Sequence, residues 1–194
     1  VGSLVVKWED DSRMANRGFL IDPSGAVAAS YDKMHMFDVD LEGGEQYRES
    51  NNYRPGDRAV VTDTPWGRIG MTICYDVRFP YLYRALAKAG AGILTVPSSF
   101  ARTTGKAHWH TLLRSRAIET GCYVLAPAQC GDHEDGRQTY GHALIVAPWG
   151  EVLADAGEEP GVIVADLDMG AVDRARAMVP SLDHDRDYAP PITG

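Results

Sequence analysis

Long apolar runs are missing from this chain. None reaches the roughly eighteen residues that a helix needs to cross a bilayer, so no segment reads as a transmembrane helix. An excess of positive charge is missing too. Nineteen Lys and Arg stand against 27 Asp and Glu, a formal charge of −8, which suits neither nucleic acid nor an anionic membrane as partner. A local basic pocket for an acidic substrate stays open. Cysteine is scarce: Cys74, Cys122 and Cys130 cannot all pair, and no two stand as Cys-x-x-Cys. That excludes a disulfide scaffold and a thiol oxidoreductase, and a reducing, cytoplasmic setting is expected. There is no Gly-rich phosphate loop and no Gly-x-Ser-x-Gly elbow. Metal-ligand spacing is poor. Cys130 and His133 are three apart, His108 and His110 two apart and so on different faces of a helix, and the expectation is no metal site. The opening residues lack the features of a signal peptide. They also lack an initiator Met and read as the middle of a strand, so the 194 residues are expected to be part of something longer.

What is present is a globular composition, 44% hydrophobic and 24% charged, enough for one domain with a core. Val1 to Trp8, Phe19 to Ile21 and Ala26 to Tyr31 read as strands, the last two joined by the turn Asp22-Pro23-Ser24-Gly25. Residues 32–58 read as irregular. Ile69 to Cys74 reads as a buried strand in a hairpin with Val60-Val61. The pattern then alternates. Helices are expected around Leu82 to Ala89, from Trp109 to Thr120 and from Met169 to Met178. Strands are expected at Ile93 to Val96, Tyr123 to Ala126, Leu144 to Val146, Val152 to Ala154 and Val162 to Leu167. Strands alternating with helices between terminal hairpins predict a mixed α/β sheet with helices on its faces.

Cys74 ends an apolar strand just before a helix. A nucleophile on such a turn is exposed at the sheet edge, the following N–H groups face what the sulfur attacks, and the helix field is expected to lower the thiol pKa toward neutrality. A cysteine there is equally at home as a small core residue. Tyr75, Asp76 and Arg78 argue for chemistry: Asp76 is placed to cap the helix, and Arg78 to pair with Asp76 or grip a substrate carboxylate. Lys33, after a strand, is an ordinary surface lysine unless it meets the cysteine. Its ammonium would then stabilise a thiolate or an oxyanion. Glu49, in the loop beyond, would orient that lysine or move a proton.

Gly70-Met71-Thr72-Ile73-Cys74-Tyr75-Asp76-Val77-Arg78-Phe79-Pro80 resembles the nucleophile motif of the nitrilase superfamily of carbon–nitrogen hydrolases. Tyr31 to Asp38 resembles its lysine motif, and Arg48-Glu49-Ser50 the segment of its accessory glutamate. Further matches are Pro97-Ser98-Ser99-Phe100, Thr104 to Trp109, Arg114 to Glu119, and Tyr140-Gly141-His142 through Trp149-Gly150. The stretch from Cys122 to His142 is most similar to the Nit branch. The resemblance covers about Val1 to Tyr188. It implies an α-β-β-α sandwich that dimerises, lacking here its first β-α units, so that residues 1–194 are the C-terminal two-thirds of the domain. It implies a hydrolase that cleaves the C–N bond of a small linear amide through a cysteine thioester. The amide expected is that of a 2-oxo acid, such as deaminated glutathione or a 2-oxo-dicarboxylate monoamide. Cys74 is the nucleophile, Lys33 and the N–H of Tyr75 hold the oxyanion, Glu49 assists, and Arg78 and Phe100 bind substrate; no cofactor is needed.

The chain also departs from that pattern. The family's general-base glutamate lies upstream of the lysine, and Glu9, in the context Lys7-Trp8-Glu9-Asp10, does not match its motif. Tyr81 and His110 stand where Glu is usual, and Ala147 where Asp is usual. These departures motivate the other reading, a catalytically inactive relative that serves as a binding or oligomerisation subunit.

Overall fold

Hydrophobic periodicity sorts the chain into sheets and covering helices, and the computed structural model describes residues 2–8, 10–41, 44–134 and 136–193. Glu9 lies outside the described residues. An antiparallel sheet comes first, with strands β1 (Leu4–Lys7), β2 (Met14–Ile21) and β3 (Val27–Asp32) in that order. The Asp22 carboxylate accepts the N–H groups of Ser24 and Ala26 and so shapes the β2–β3 turn. Residues 32–58, expected to be irregular, contain a short hairpin, β4 (Asp38–Asp40) with β5 (Gln46–Arg48). Its polar residues alternate too weakly to announce strands.

The remaining elements in chain order are β6 (Val60–Thr64), β7 (Gly67–Met71), α1 (Pro80–Lys88), β8 (Ile93–Thr95), α2 (Arg102–Thr120), β9 (Tyr123–Ala126), β10 (Cys130–Asp132), β11 (Gln138–Tyr140), β12 (Leu144–Val146), β13 (Val152–Asp155) and α3 (Gly170–Met178). Six of these strands form a mixed sheet in the order β13-β12-β9-β8-β7-β6. The β7–β8 and β8–β9 pairs are parallel and the others antiparallel. β10 and β11 pair separately.

Period-two alternation decides which layer covers which face. Leu94, Val124, Ala126, Leu144 and Val146 point to one side and pack with Leu82, Tyr83 and Leu86 of α1 and Trp109, Leu113 and Ala117 of α2. Each such large apolar side chain contributes roughly 1.5–3 kcal/mol on burial. On the opposite face, Met71 and Ile73 meet Tyr31 of β3, while Ile69, Ile93, Tyr123 and Leu125 meet Met169 and Val172 at the start of α3. Helices α1 and α2 therefore cover one face of the mixed sheet, and the antiparallel sheet and the start of α3 lie on the other. The antiparallel sheet leaves Leu4, Val5 and Val27 more than half exposed.

The strand expected at Phe19 to Ile21 starts earlier, at Met14, and two further expectations change. α2 starts at Arg102 rather than Trp109, because Thr103, Thr104 and Gly105 are weak helix formers that conceal its first turns. The strand expected at Val162 to Leu167 does not form, and Val162 and Val164 are 91% and 83% exposed. No described strand lies beside it to complete a ladder.

Candidate active site

Parallel strands deliver their functional residues at their carboxyl ends, and β7 does this for Cys74. The amides of Thr72 and Cys74 donate to the carbonyls of Thr95 and Pro97, which carries the β7–β8 pairing three residues past the end of β7. The chain then turns sharply. Cys74 takes φ 50° and opens a 3-10 turn, Cys74–Arg78, that leads into α1. Left-handed backbone at a non-glycine residue is strained, and the strain puts the sulfur into a cavity of about 280 Å³.

Lys33 reaches the same cavity from the end of β3. Its N–H donates to Asn16 and its carbonyl accepts from Gly56. A side chain at Gly56 would run into the Asp32 carbonyl at 2.3 Å, so only glycine permits this crossing. The lysine is 3% exposed, and its ammonium donates to Glu49 Oε2 at 2.5 Å. The same oxygen accepts the Phe37 N–H at 2.6 Å. Glu49 begins a 3-10 turn directly after β5, so the β4–β5 hairpin is the device that brings the carboxylate back over the lysine.

Asp76 ties the two halves together. It is fully buried, and Oδ2 accepts from the Tyr31 hydroxyl at 2.7 Å and from the Ile73 N–H at 2.9 Å. Oδ1 accepts the His35 N–H and meets the His35 ring nitrogen Nδ1 at 2.7 Å. One carboxylate thus holds the residues on both sides of Lys33 against the turn that carries Cys74. Asp76 caps that turn as the sequence suggests, but its partners are Tyr31 and His35, not Arg78. Asp76→Asn replaces an acceptor with a donor amid these donors. It is expected to lower stability by about 1–3 kcal/mol in urea denaturation, and to lower turnover further by letting the lysine drift from the sulfur.

Every sequence-predicted site residue except Arg78 lines the cavity: Lys33, Glu49, Cys74, Tyr75 and Phe100. The Arg78 guanidinium stands 5.4 Å from the Phe100 ring centroid and 5.8 Å from that of Tyr75, with His108 Nδ1 at 3.3 Å from one nitrogen. It stands against two rings of the cavity wall without lining the cavity itself. The arginine on the wall is Arg137 at the start of the chain's return through β11, beside Gln138 and Thr139. Sequence reasoning missed it. Its only signal was a basic residue inside an otherwise polar loop.

Burial pushes the Cys74 thiol above its ordinary pKa, while the Lys33 ammonium acts in the opposite direction. The expected lowering toward neutrality is thus corrected: the turn after Cys74 is a single 3-10 turn with little dipole, and removal of the sulfur from water outweighs the lysine. The rate of alkylation by iodoacetamide is expected to rise with a midpoint above the free-thiol value of about 8.5. In Lys33→Met the midpoint should move higher still. A midpoint at or below the free-thiol value would contradict this account.

Residues 1–177 match the family model described as carbon-nitrogen hydrolase. The chain belongs to the carbon–nitrogen hydrolase family. Among curated relatives, the chain is 46% identical over 180 residues to deaminated glutathione amidase of Mus musculus, a match that covers 92% of this chain and 56% of that protein. Its fold matches the crystal structure of the Caenorhabditis elegans NitFhit protein with TM-score 0.90 and 44% identity, over 96% of this chain and 46% of that one. An amidase from Nesterenkonia, seen with the acetamide moiety of fluoroacetamide added covalently at its active-site cysteine, matches with TM-score 0.78 and 29% identity, over 95% and 63% of the two chains. The chain therefore spans roughly half to two-thirds of the length of these proteins.

Proposed function

We propose that this chain carries the nucleophilic half of an amidase that hydrolyses the C–N bond of a small amide through a thioester on Cys74. The observation that carries the reading is a buried lysine, held by Glu49, on the same cavity wall as a cysteine whose backbone is strained to present its sulfur. The sulfur attacks the amide carbon as its proton leaves. The carbonyl oxygen takes the negative charge and is held by the Lys33 ammonium and a backbone amide. The Cys74 and Asp76 amides are committed to Pro97 and Ile73, so Tyr75 is the amide assigned to that oxygen. Collapse expels ammonia, its nitrogen taking up a proton, and water then cleaves the thioester to release the acid.

The proton on sulfur needs a base. Glu49 Oε2 is engaged by Lys33 and the Phe37 N–H, so its role is to orient the lysine. The resemblance assigns the base to a glutamate upstream of the lysine. The substrate class we favour is the amide of a 2-oxo acid bearing a further carboxylate, as the relatives' name suggests. Arg137 is the wall cation that such a carboxylate reaches, with Phe100 and Tyr75 packing against the acyl chain. We place the protein in a reducing compartment, in keeping with free thiols at Cys74, Cys122 and Cys130. We further expect a homodimer, for which Ile118, Trp149 and Val179 offer exposed apolar surface around one hollow.

The test is ammonia release from 2-oxo-dicarboxylate monoamides and from deaminated glutathione, with intact-mass detection of an acyl group on Cys74 in a single turnover. An acyl adduct at Cys74 supports the reading. A protein that also carries the upstream glutamate, binds these amides and never acylates is the binding subunit instead.

A further inference from the structure

Away from the cavity, three residues distant in sequence converge. His110 lies on α2, His142 in the turn between β11 and β12, and Asp155 at the end of β13. The Asp155 carboxylate is 3.0 Å from His110 Nε2 and 2.9 Å from His142 Nδ1, and one ligand atom from each residue lies within 4.8 Å of the others. We propose that His110, His142 and Asp155 form a binding site for a divalent transition-metal ion of the zinc class.

Four observations carry this. First, the donor set, two imidazoles and one carboxylate, matches the ligands that zinc, cobalt and nickel prefer over the all-oxygen sets of calcium or magnesium. Second, the backbone is strained to build the cluster. His142 has φ 52°, and among the described residues Cys74 is the one other non-glycine residue with positive φ. His142 is pinned there from both sides: its N–H donates to the Gly157 carbonyl, and its own carbonyl accepts the Trp109 indole N–H. Its ring stacks on Tyr140, with centroids 4.4 Å apart. Third, the outer nitrogen of His142 has a carboxylate waiting: Nε2 lies 3.9 Å from Glu158 Oε1. When Nδ1 binds a metal, its proton moves to Nε2 and can be held by Glu158. That is the arrangement of a metal-bound histidine with an outer carboxylate. Fourth, the three side chains are 35%, 20% and 33% exposed, so an ion can enter and keep water in its remaining positions.

Ligand atoms at about 2.0–2.1 Å from a tetrahedral ion sit closer than the widest pair in this cluster. Binding therefore requires the two rings to swing inward over Asp155. Without an ion, the carboxylate serves as hydrogen-bond acceptor for both rings and for the Gly157 N–H.

The experiment uses the whole chain carrying Cys74→Ser, so that the reactive thiol cannot trap metal. Cobalt(II) and zinc(II) are titrated by calorimetry and visible spectroscopy. The expected result is one ion per chain, with d–d bands of a four- or five-coordinate cobalt site and no sulfur-to-cobalt charge transfer. His110→Ala and Asp155→Asn should each abolish it, Glu158→Gln should weaken it by about 10–100-fold, and His184→Ala should leave it unchanged. No binding, or binding that survives both His110→Ala and Asp155→Asn in folded protein, overturns the proposal. Circular dichroism of each variant establishes the fold.

Discussion

Cys74→Ala is expected to abolish amide hydrolysis, lowering kcat by on the order of 10⁴-fold or more, with little change in the fold. The size follows from the loss of the covalent path: no other group in the cavity forms a thioester, and what remains is oxyanion stabilisation and binding. The small effect on folding follows from the position. The hydrogen bond of the Cys74 sulfur to the Ser99 carbonyl is weak, at 4.0 Å, alanine keeps most of its packing against the core, and the substitution removes none of the hydrogen bonds that Asp76 makes to the turn. Ammonia release measured beside circular dichroism checks both halves. Retained turnover in a folded Cys74→Ala chain would defeat the amidase reading.

Lys33→Met is expected to fail in two separable ways. Removing the ammonium should cost about 10²–10³ in kcat, the usual loss for one oxyanion donor. It also strips the Glu49 carboxylate of its partner inside the protein, where breaking a buried pair costs about 3–5 kcal/mol. The lower end applies here, because Glu49 keeps the Phe37 N–H and is 15% exposed. The double variant Lys33→Met/Glu49→Gln removes the uncompensated charge. It should recover much of the stability in urea denaturation and none of the turnover. If the double variant regains activity, the lysine's role is structural and the oxyanion belongs elsewhere.

The neighbourhood of Lys33 explains why a single lysine is asked to do so much. Asp76 fixes Tyr31 and His35 on either side of it, and His35 in turn stacks on Phe79 with ring centroids 3.5 Å apart and meets the Tyr81 hydroxyl through Nε2. The lysine loop and the nucleophile turn are thus locked as one body. Tyr81, which departs from the residue usual at that position, has a use in this chain as a hydrogen-bond partner of His35.

Much of this was legible without coordinates. The apolar run into Cys74, the helical spacing of Leu82, Leu86 and their neighbours, and the β-branched strands set the alternation of elements. Binary pattern is a local property that the chain carries residue by residue. The motifs around Cys74 and Lys33 pointed to the proposed chemistry because both are continuous in sequence. Three things were not legible. The β4–β5 hairpin is too short and polar to show a period, yet it carries Glu49 to Lys33. That Arg137 rather than Arg78 lines the cavity depends on where the chain's return through β11 runs. The sulfur's pKa depends on how much water the folded chain takes from it, which no stretch of residues encodes.

The sequence by itself determined that there is a strand-end cysteine, a lysine motif and an α/β alternation around them, since each rests on neighbours a few residues apart. Only the tertiary structure decided that Glu49 grips Lys33, that Asp76 accepts from both motifs, and that His110, His142 and Asp155 meet. Those contacts join positions between 13 and 45 residues apart, and whether such groups touch is set by the packing of sheets and helices, through distances that sequence spacing does not measure.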